Sequence, residues 1–355
     1  MDMNNVKRID YSNYLHLNEL LNAQFPESTF HDEMLFVITH QVYELWFKQI
    51  LFEIEAVSLL LAQDELPDTD IFKVVSRLQR VIKIQKIMVD QIKVLETMTP
   101  MDFLEFRDML GTASGFESYQ FRLLEVKLGV KYEMSSPFIS RLSDGHQQLI
   151  AAAISQPSLL ALIEKWLSRT PFLSIDDFTF WADYQAEIQS RHEQEKLKIN
   201  TNEWLSPQEK STSLQQLEKV EEHFNILFDI DLYNELVAKG ERKLSQRAIH
   251  AALLIYIYRD QPAFHLPYML LSSLVEIDDL LSSWRYAHIL MVQRMIGQRI
   301  GTGGSTGQQY LMHAMQARKV FSDITNLASF LIRGSKMSLP EHVKAKLGLS
   351  YVLNG

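Results

Sequence analysis

The sequence predicts an all-α protein, a large helical bundle, on three observations. Only 13 glycines and 10 prolines interrupt 355 residues, so long uninterrupted elements are favoured. Apolar residues make up 46% of the chain and charged residues 22%, which is typical of a folded globular protein. Between the glycines and prolines, apolar residues recur every three or four positions rather than alternate. One such run contains Leu35, Ile38, Val42, Leu45, Gln49, Phe52 and Ala56.

The same periodicity predicts further helices along the chain. Thr99-Pro100 is a helix-start signal, because proline is tolerated in the first turn. Residues 1–30 are predicted to form an N-terminal arm. The segment around 185–222 turns polar and charged, which predicts a solvated helical excursion within a single domain of residues 1–355. The predicted helices are 71–97, 103–110, 118–128, 142–155, 157–168, 182–198, 214–229, 245–258, 268–300 and 309–332.

Charge and cysteine content exclude several functional classes. A net charge of -9 repels phosphate backbones, so we expect no nucleic-acid partner. The absence of cysteine excludes disulfides, zinc-thiolate sites, iron–sulfur clusters and a thiolate-ligated haem, and it suits a reducing compartment. The longest apolar run, 251–258, is too short to span a bilayer, and the N-terminus lacks the apolar core of a signal peptide. We therefore expect a cytoplasmic protein without a membrane partner.

A glycine-rich segment contains five of the 13 glycines: Gly297, Gly301, Gly303, Gly304 and Gly307. Its backbone N–H groups could cradle a phosphate, but a dinucleotide fingerprint follows a strand, and this segment follows a predicted helix. A loop that folds closely over a small polar ligand fits better, since glycines, threonines and serine offer N–H and hydroxyl donors. A simple connection between helices is the structural alternative.

One histidine lies among large apolar side chains on a predicted helix. Trp284, His288, Met291 and Met295 recur at spacings of three and four and share one face. On spacing alone, a hydrogen-bonded core histidine is the favoured interpretation. The alternative is an axial haem ligand, because a neutral imidazole in an apolar wall suits that role and no cysteine can compete for it.

Two aromatic–polar pairs have the i, i+4 spacing of a single helix face. Phe36 and His40 would place an aromatic wall beside a proton acceptor. Phe103 and Arg107 would place a guanidinium one turn from a ring, where it could hold a carboxylate. A surface arginine with a packed stem is the alternative for Arg107. His31 lies nine residues from His40 and points elsewhere, so no two-histidine metal site is predicted.

Four ordered blocks together resemble the tryptophan 2,3-dioxygenase family. They are Tyr11-x-x-Tyr14-Leu15 continuing to Gln24, then HDEMLFVITHQVYELWFKQILFE, then FRDMLGTASGFESYQFRLLE, then WRYAHILMVQRMIGQRIGTGGSTG. The resemblance covers roughly residues 11–129 and 245–332. It implies a homotetramer with one haem b per subunit that opens the indole C2–C3 bond of L-tryptophan with O2, giving N-formylkynurenine.

The resemblance also implies roles for individual residues near the cofactor. His288 corresponds to the axial ligand of the haem iron. Trp284, Gly301, Gly303 and Gly304 fall in the blocks that surround the cofactor. His40 corresponds to the distal histidine that accepts the indole N–H, which makes it the candidate catalytic residue.

The substrate-binding residues follow from the same blocks. Arg107 corresponds to the group that binds the substrate carboxylate, and Thr302 to a loop residue that contacts the ammonium and carboxylate. Phe36 and Phe103 would line the indole pocket; Phe103 replaces a tyrosine of some relatives, so a hydroxyl contact is missing. The arm residues that would reach a neighbouring subunit's site are Tyr11, Tyr14 and Leu15. A haem enzyme that hydroxylates tryptophan and a non-catalytic haem sensor are the alternative functions.

Overall fold

The chain is almost entirely helical in the computed structural model, which describes residues 9–111, 113, 115–171, 173–175, 178–297, 319–332 and 337–348. The all-α prediction is confirmed. Within this part of the chain, the strands are β1 (Ser174–Ile175) and β2 (Phe178–Thr179), which pair antiparallel. The α-helices are α1 (Tyr11–Leu15), α2 (Leu17–Leu21), α3 (His31–Leu61), α4 (Asp68–Leu95), α5 (Pro100–Arg107), α6 (Tyr119–Leu128), α7 (Asp144–Ile154), α8 (Leu159–Ser168), α9 (Phe180–Thr201), α10 (Pro207–Phe228), α11 (Ile230–Ala238), α12 (Gln246–Ile257), α13 (Pro262–Ile296), α14 (Ser322–Asn326) and α15 (Glu341–Leu347). Short 3-10 turns are Asp108–Leu110, Gly115–Glu117 and Leu327–Phe330.

The centre of the fold is the packing of α4 between α3 and α13. Side chains such as Ile54, Leu78 and Leu274 are fully buried there, and each contributes roughly 1.5–3 kcal/mol of hydrophobic stabilisation. One buried hydroxyl in this core has a backbone partner, since Tyr43 on α3 donates to the Met88 carbonyl on α4 over 2.9 Å. Helices α3 and α13, which carry the histidines singled out above, are therefore held by a common neighbour.

Side-chain caps explain where several helices begin. Thr99 and Asp102 form a reciprocal capping box at α5, and Ser206 and Glu209 form one at α10. Such caps satisfy backbone N–H groups and contribute about 1 kcal/mol each. Further helices start with a serine that accepts from a backbone N–H, namely α6, α7, α8 and α12 with Ser118, Ser143, Ser158 and Ser245.

The prediction of one continuous helix at 309–332 is wrong in its described part. Residues 319–332 contain only α14 and a 3-10 turn. The carboxylate of Asp278 on α13 accepts from the backbone N–H groups of Val320 and Phe321, at 3.0 and 2.5 Å, and this bonding draws the chain away from helical geometry. Helix α11 was missed, and α13 begins at Pro262 and continues through Pro267, earlier than predicted.

The predicted N-terminal arm contains α1 and α2, neither of which buries a residue. The arm is attached to α3 by polar contacts. The buried carboxylate of Glu33 accepts from the backbone N–H groups of Glu27 and Ser28, at 2.7 and 2.8 Å, and from the Ser28 hydroxyl. The Gln41 amide donates to the Ala23 carbonyl over 2.8 Å.

The predicted polar excursion is a helical hairpin made of α9 and α10. Its base is anchored by the buried residues Phe180, Tyr184 and Leu227, and the Tyr184 hydroxyl donates to the Phe330 carbonyl over 2.6 Å. Trp204 lies between the two helices at the tip and is 95% exposed. None of the helices that the structure describes is both long enough and apolar enough for a membrane crossing.

Candidate functional site

Helices α3 and α5 bring the first group of predicted site residues together. The Phe36 ring lies 4.1 Å from the His40 ring and 5.9 Å from the Phe103 ring, centroid to centroid. Phe106 joins this group, at 5.7 Å from Phe36 and 5.4 Å from Phe103, and is fully buried. Sequence reasoning missed Phe106. Its spacing of three from Phe103, on the same helix face, was the available signal.

The His40 imidazole is held in one tautomer. Its Nδ1 lies 2.7 Å from the Phe36 carbonyl oxygen, which can only accept, so Nδ1 carries the proton and Nε2 keeps its lone pair. Burial lowers the pKa of His40, and this outweighs the Phe36 carbonyl and the Glu44 carboxylate, which both raise it. Near pH 7, His40 is therefore a neutral hydrogen-bond acceptor at Nε2.

Arg107 ends α5, and the local structure fixes its place. The capping box orders the start of this eight-residue helix, and the buried Phe106 anchors its other end. Helix α5 packs against both α3 and α13. Arg107 is half-buried and follows directly after Phe106 of the aromatic group. A guanidinium can bind a carboxylate through two parallel N–H donors.

His288 lies on α13 within an aromatic wall. Its ring lies 5.7 Å from the Trp284 ring at an interplanar angle of 17°, and Trp284 contacts Phe47 and Phe121 at 5.9 and 5.1 Å. Burial, with a smaller contribution from His40, lowers the pKa of His288 to about 4. His288 is therefore neutral near pH 7. Tyr43, three residues after His40 on α3, has its ring 5.8 Å from that of Trp284, so the helices that carry the two histidines meet through these aromatic side chains.

These side chains fit a haem with one histidine ligand. Such a ligand must be a neutral imidazole in an apolar setting, and His288 meets both conditions. Among the described residues, no group of three histidine, aspartate or glutamate side chains could hold a bare metal ion. Gly301, Thr302, Gly303 and Gly304 lie outside the described residues.

A buried ionic network lies behind Trp284. Glu125, 1% exposed, accepts from Arg122 and Arg285 over 2.5 and 2.8 Å and from the Tyr132 hydroxyl over 2.5 Å. The Arg122 and Arg285 guanidiniums lie 4.9 and 5.6 Å from the ring of Phe121, which itself contacts Trp284. Sequence reasoning missed this network. The i, i+3 pair of Arg122 and Glu125 was visible, but the contact to Arg285 was not.

The arm residues Tyr11 and Tyr14 are 73% and 69% exposed, and Leu15 is 41% exposed. In this chain they do not pack into the aromatic group. The Asp10 side chain caps α1 by accepting from the Asn13 N–H over 2.8 Å, so the arm has local order without a buried face. An exposed apolar surface of this kind marks a site where another molecule or subunit can bind.

Comparisons with known proteins point to one family. A family profile described as tryptophan 2,3-dioxygenase matches residues 2–331. A tryptophan 2,3-dioxygenase of Bdellovibrio bacteriovorus is 43% identical over 354 residues, covering 97% of this chain and 99% of its own. One from Dictyostelium discoideum is 42% identical, covering 97% and 89%. The tryptophan 2,3-dioxygenase B of Danio rerio is 45% identical, covering 91% and 82%.

Proposed function

This chain belongs to the tryptophan 2,3-dioxygenase family, and we propose that it is a haem enzyme that opens the indole ring of L-tryptophan with O2 to give N-formylkynurenine. It is an oxidoreductase that places both oxygen atoms in the product. The observation that carries the proposal is the grouping of neutral His40 with Phe36 and Phe103, on a helix whose Tyr43 contacts the Trp284 that stacks beside His288.

Substrate binding follows from the charges and shapes of these side chains. The rings of Phe36 and Phe103 form an apolar wall for the flat indole and exclude water from it. Nε2 of His40 accepts the indole N–H, since Nδ1 is committed to the Phe36 carbonyl. Arg107 binds the carboxylate at the other end of the substrate. Two anchored ends fix the orientation of the reacting carbons, which lowers the entropic cost of reaction.

We propose that His288, with Trp284 stacked beside its ring, would hold the iron of a haem b. When bound, the haem iron supplies the site at which O2 is activated. The chain's own contribution is a neutral imidazole on a rigid helix and a dry aromatic surround. No thiolate ligand is possible, because the sequence has no cysteine. Gly301, Thr302, Gly303 and Gly304 are proposed to complete the pocket on the basis of the family resemblance alone.

We propose a homotetramer in which the arm residues Tyr11, Tyr14 and Leu15 complete a neighbouring subunit's pocket. Their exposure in the single chain supports this assignment. A cytoplasmic location is supported by the lack of cysteine, which suits a reducing compartment.

The decisive experiment supplies purified ferrous protein with L-tryptophan and 18O2 and identifies the product by mass. We expect N-formylkynurenine with two labelled oxygen atoms. A product with one labelled oxygen would indicate hydroxylation instead, and no product from fully haem-loaded protein would favour a sensor.

The haem assignment has its own test. His288→Ala should lose stoichiometric haem, measured as pyridine haemochrome, while far-ultraviolet circular dichroism shows unchanged helix content. His146→Ala is the matched control, because that histidine stacks on Tyr119 at 3.9 Å elsewhere in the fold. Full haem occupancy and an unchanged ferrous spectrum in His288→Ala would reject the assignment.

A further inference from the structure

Tyr43 lies where the three central helices meet. It is on α3, three residues after His40, and it is only 7% exposed. Its hydroxyl donates to the Met88 carbonyl of α4 over 2.9 Å. Its ring lies 5.8 Å from the Trp284 ring of α13, at an interplanar angle of 63°. One side chain therefore joins the helix of His40 to the helix of His288.

The orientation of the His288 imidazole depends on its stack with Trp284. A histidine that holds a metal usually has its second ring nitrogen fixed by a hydrogen bond to a carboxylate, a backbone carbonyl or water. In the part of the chain that the structure describes, no side chain or backbone group makes a hydrogen bond to His288. Its ring stacks on Trp284 at 5.7 Å and 17°. The protein contact that orients the imidazole is therefore the plane of the indole.

The Trp284 indole is held by packing rather than by a hydrogen bond of its own. Its Nε1 is buried and has no hydrogen-bond partner among the described residues. The rings of Tyr43, Phe47 and Phe121 contact it at 5.8, 5.9 and 5.1 Å. The two phenylalanines can shift within their packing without breaking a polar contact. Tyr43 differs from them, because a shift of its ring would break the bond to Met88.

The bond between Tyr43 and Met88 persists at neutral pH. Burial raises the pKa of the Tyr43 hydroxyl to about 12, although the indole N–H of Trp284 lowers it by a smaller amount. The hydroxyl therefore keeps its proton and remains a donor. If the ring moved away, a buried hydroxyl would lose its partner, which is costly. Tyr43 is thus the fixed side of the contact with Trp284.

We infer that Tyr43 is a positioning residue for His288: its anchored ring holds the Trp284 indole in place, and the indole orients the imidazole. The inference rests on the proposed role of His288 as the haem ligand, and it names the group that sets the orientation of that ligand. The same contact fixes α3, which carries His40, relative to α13.

The test removes the hydroxyl and keeps the ring, in the full-length, haem-loaded Tyr43→Phe variant. The matched control is Tyr184→Phe. Tyr184 is fully buried at the base of the α9–α10 hairpin, and its hydroxyl donates to the Phe330 carbonyl over 2.6 Å. Both variants lose one buried bond from a hydroxyl to a backbone carbonyl. Their denaturant midpoints should therefore fall by similar amounts.

Resonance Raman spectroscopy of the ferrous haem separates a positioning role from a structural one. The iron–histidine stretching band depends on the orientation of the axial imidazole. We expect this band to shift in Tyr43→Phe and to keep its wild-type position in Tyr184→Phe. Transfer of haem to excess apomyoglobin should be roughly tenfold faster from Tyr43→Phe, because contacts behind a metal ligand tune its affinity.

A double variant tests whether Tyr43 acts through Trp284. Trp284→Leu removes the indole, so the addition of Tyr43→Phe should leave the rate of haem transfer unchanged. Additive effects on that rate would show that Tyr43 influences the haem by another route, and they would overturn the inference.

An unshifted Raman band in Tyr43→Phe, or an equal shift in Tyr184→Phe, would also overturn it. The same holds for a loss of helix content in Tyr43→Phe that Tyr184→Phe does not share, because the hydroxyl would then serve the fold rather than the imidazole. Failure of the haem assignment has a different signature, an iron–histidine band that persists in His288→Ala. In that case the inference falls together with the assignment on which it rests.

Discussion

His40 shows how one backbone contact can define a proton acceptor. Residues four apart on a helix are close enough for the ring of His40 to meet the carbonyl of Phe36, and that bond selects the tautomer. Burial then keeps the ring neutral. The backbone of Phe36 therefore fixes the tautomer of His40, and the surrounding fold controls its protonation.

Tryptophan binding should weaken at low pH because protonated His40 cannot accept the indole N–H. The pKa of His40 is lowered, so the neutral form persists below the ordinary value of 6.5. We expect kcat/KM for L-tryptophan to stay level from pH 8 to 6.5 and to fall only at lower pH. The pH profile of kcat/KM for 1-methyl-tryptophan, which lacks the N–H, should not contain this fall. An identical fall for both substrates would show that the protonation of His40 does not cause it.

Arg107→Ala should reduce kcat/KM for L-tryptophan and leave haem content unchanged. Loss of a charge-assisted bidentate contact costs about 1.5–3 kcal/mol, or roughly tenfold to a hundredfold. Arg107→Lys should recover only part of this, because an ammonium cannot form the parallel pair of bonds. Equal kcat/KM values for wild type and Arg107→Ala would refute the carboxylate assignment. For tryptamine, which has no carboxylate, kcat/KM should be the same in wild type and in Arg107→Ala.

At the scale of elements, helix α3 makes three kinds of contact at once. Its core face packs on α4, its first turns bind the arm, and Phe36 contacts both His40 and Phe103 of α5. Helix α5 is only eight residues long, yet its capping box and Phe106 fix it against α3 and α13. Short elements can position functional groups when both of their ends are anchored.

Glu33→Gln should loosen the arm without unfolding the protein. Burial raises the pKa of Glu33, but the hydrogen bonds from Ser28 and Glu27 together lower it by more. The pKa of Glu33 therefore lies below its ordinary value of 4.5. A lowered carboxyl pKa means that the stabilising contribution is present above 4.5 and is lost as the pH falls through the lowered value. At pH 7, Glu33→Gln should therefore speed proteolysis of the arm roughly tenfold or more.

Limited proteolysis followed by mass spectrometry of the N-terminal fragments measures this rate. Glu19→Gln is the control, because Glu19 lies within the arm at α2 and makes no contact with the anchor. An arm that is cleaved equally fast in wild type and Glu33→Gln would show that the carboxylate does not hold it.

Across the whole molecule, the buried network of Glu125 connects α6 with α13 one turn before His288. Burial lowers the pKa of Arg122, and Glu125 and Tyr132 raise it by more, so the guanidinium stays charged. Two cations share one carboxylate here. Removal of that carboxylate leaves both charges without their main partner in a region of low dielectric.

Glu125→Ala should lower the free energy of unfolding by about 3–5 kcal/mol. Denaturant unfolding monitored by circular dichroism measures this change. The double variant Glu125→Ala/Arg122→Met should be more stable than Glu125→Ala alone, because one unpaired charge is removed. If the two substitutions instead destabilise additively, the pair is not coupled and the network does not stabilise the fold.

The sequence by itself determined the features that depend on neighbours along one helix. Periodicity gave the all-α class, and the i, i+4 pairs Phe36–His40 and Trp284–His288 were visible because such residues meet on any α-helix. The polar excursion was likewise predicted from local composition, whereas the N-terminal arm was predicted from the family resemblance. The continuous helix at 309–332 failed because Asp278, some 42 residues earlier in the chain, binds the backbone there.

Only the tertiary structure decided which partners come from distant parts of the chain. It joined α3 to α5, brought Arg285 to Glu125 across 160 positions, and left Ile38, Leu45 and Phe52 outside while burying Tyr43 and Phe47. Burial and neighbouring charges set the pKa values of His40 and His288, and neither can be read from spacing. The physical reason is that desolvation and electrostatics depend on everything that surrounds a group, whereas periodicity records only which side of its own helix it occupies.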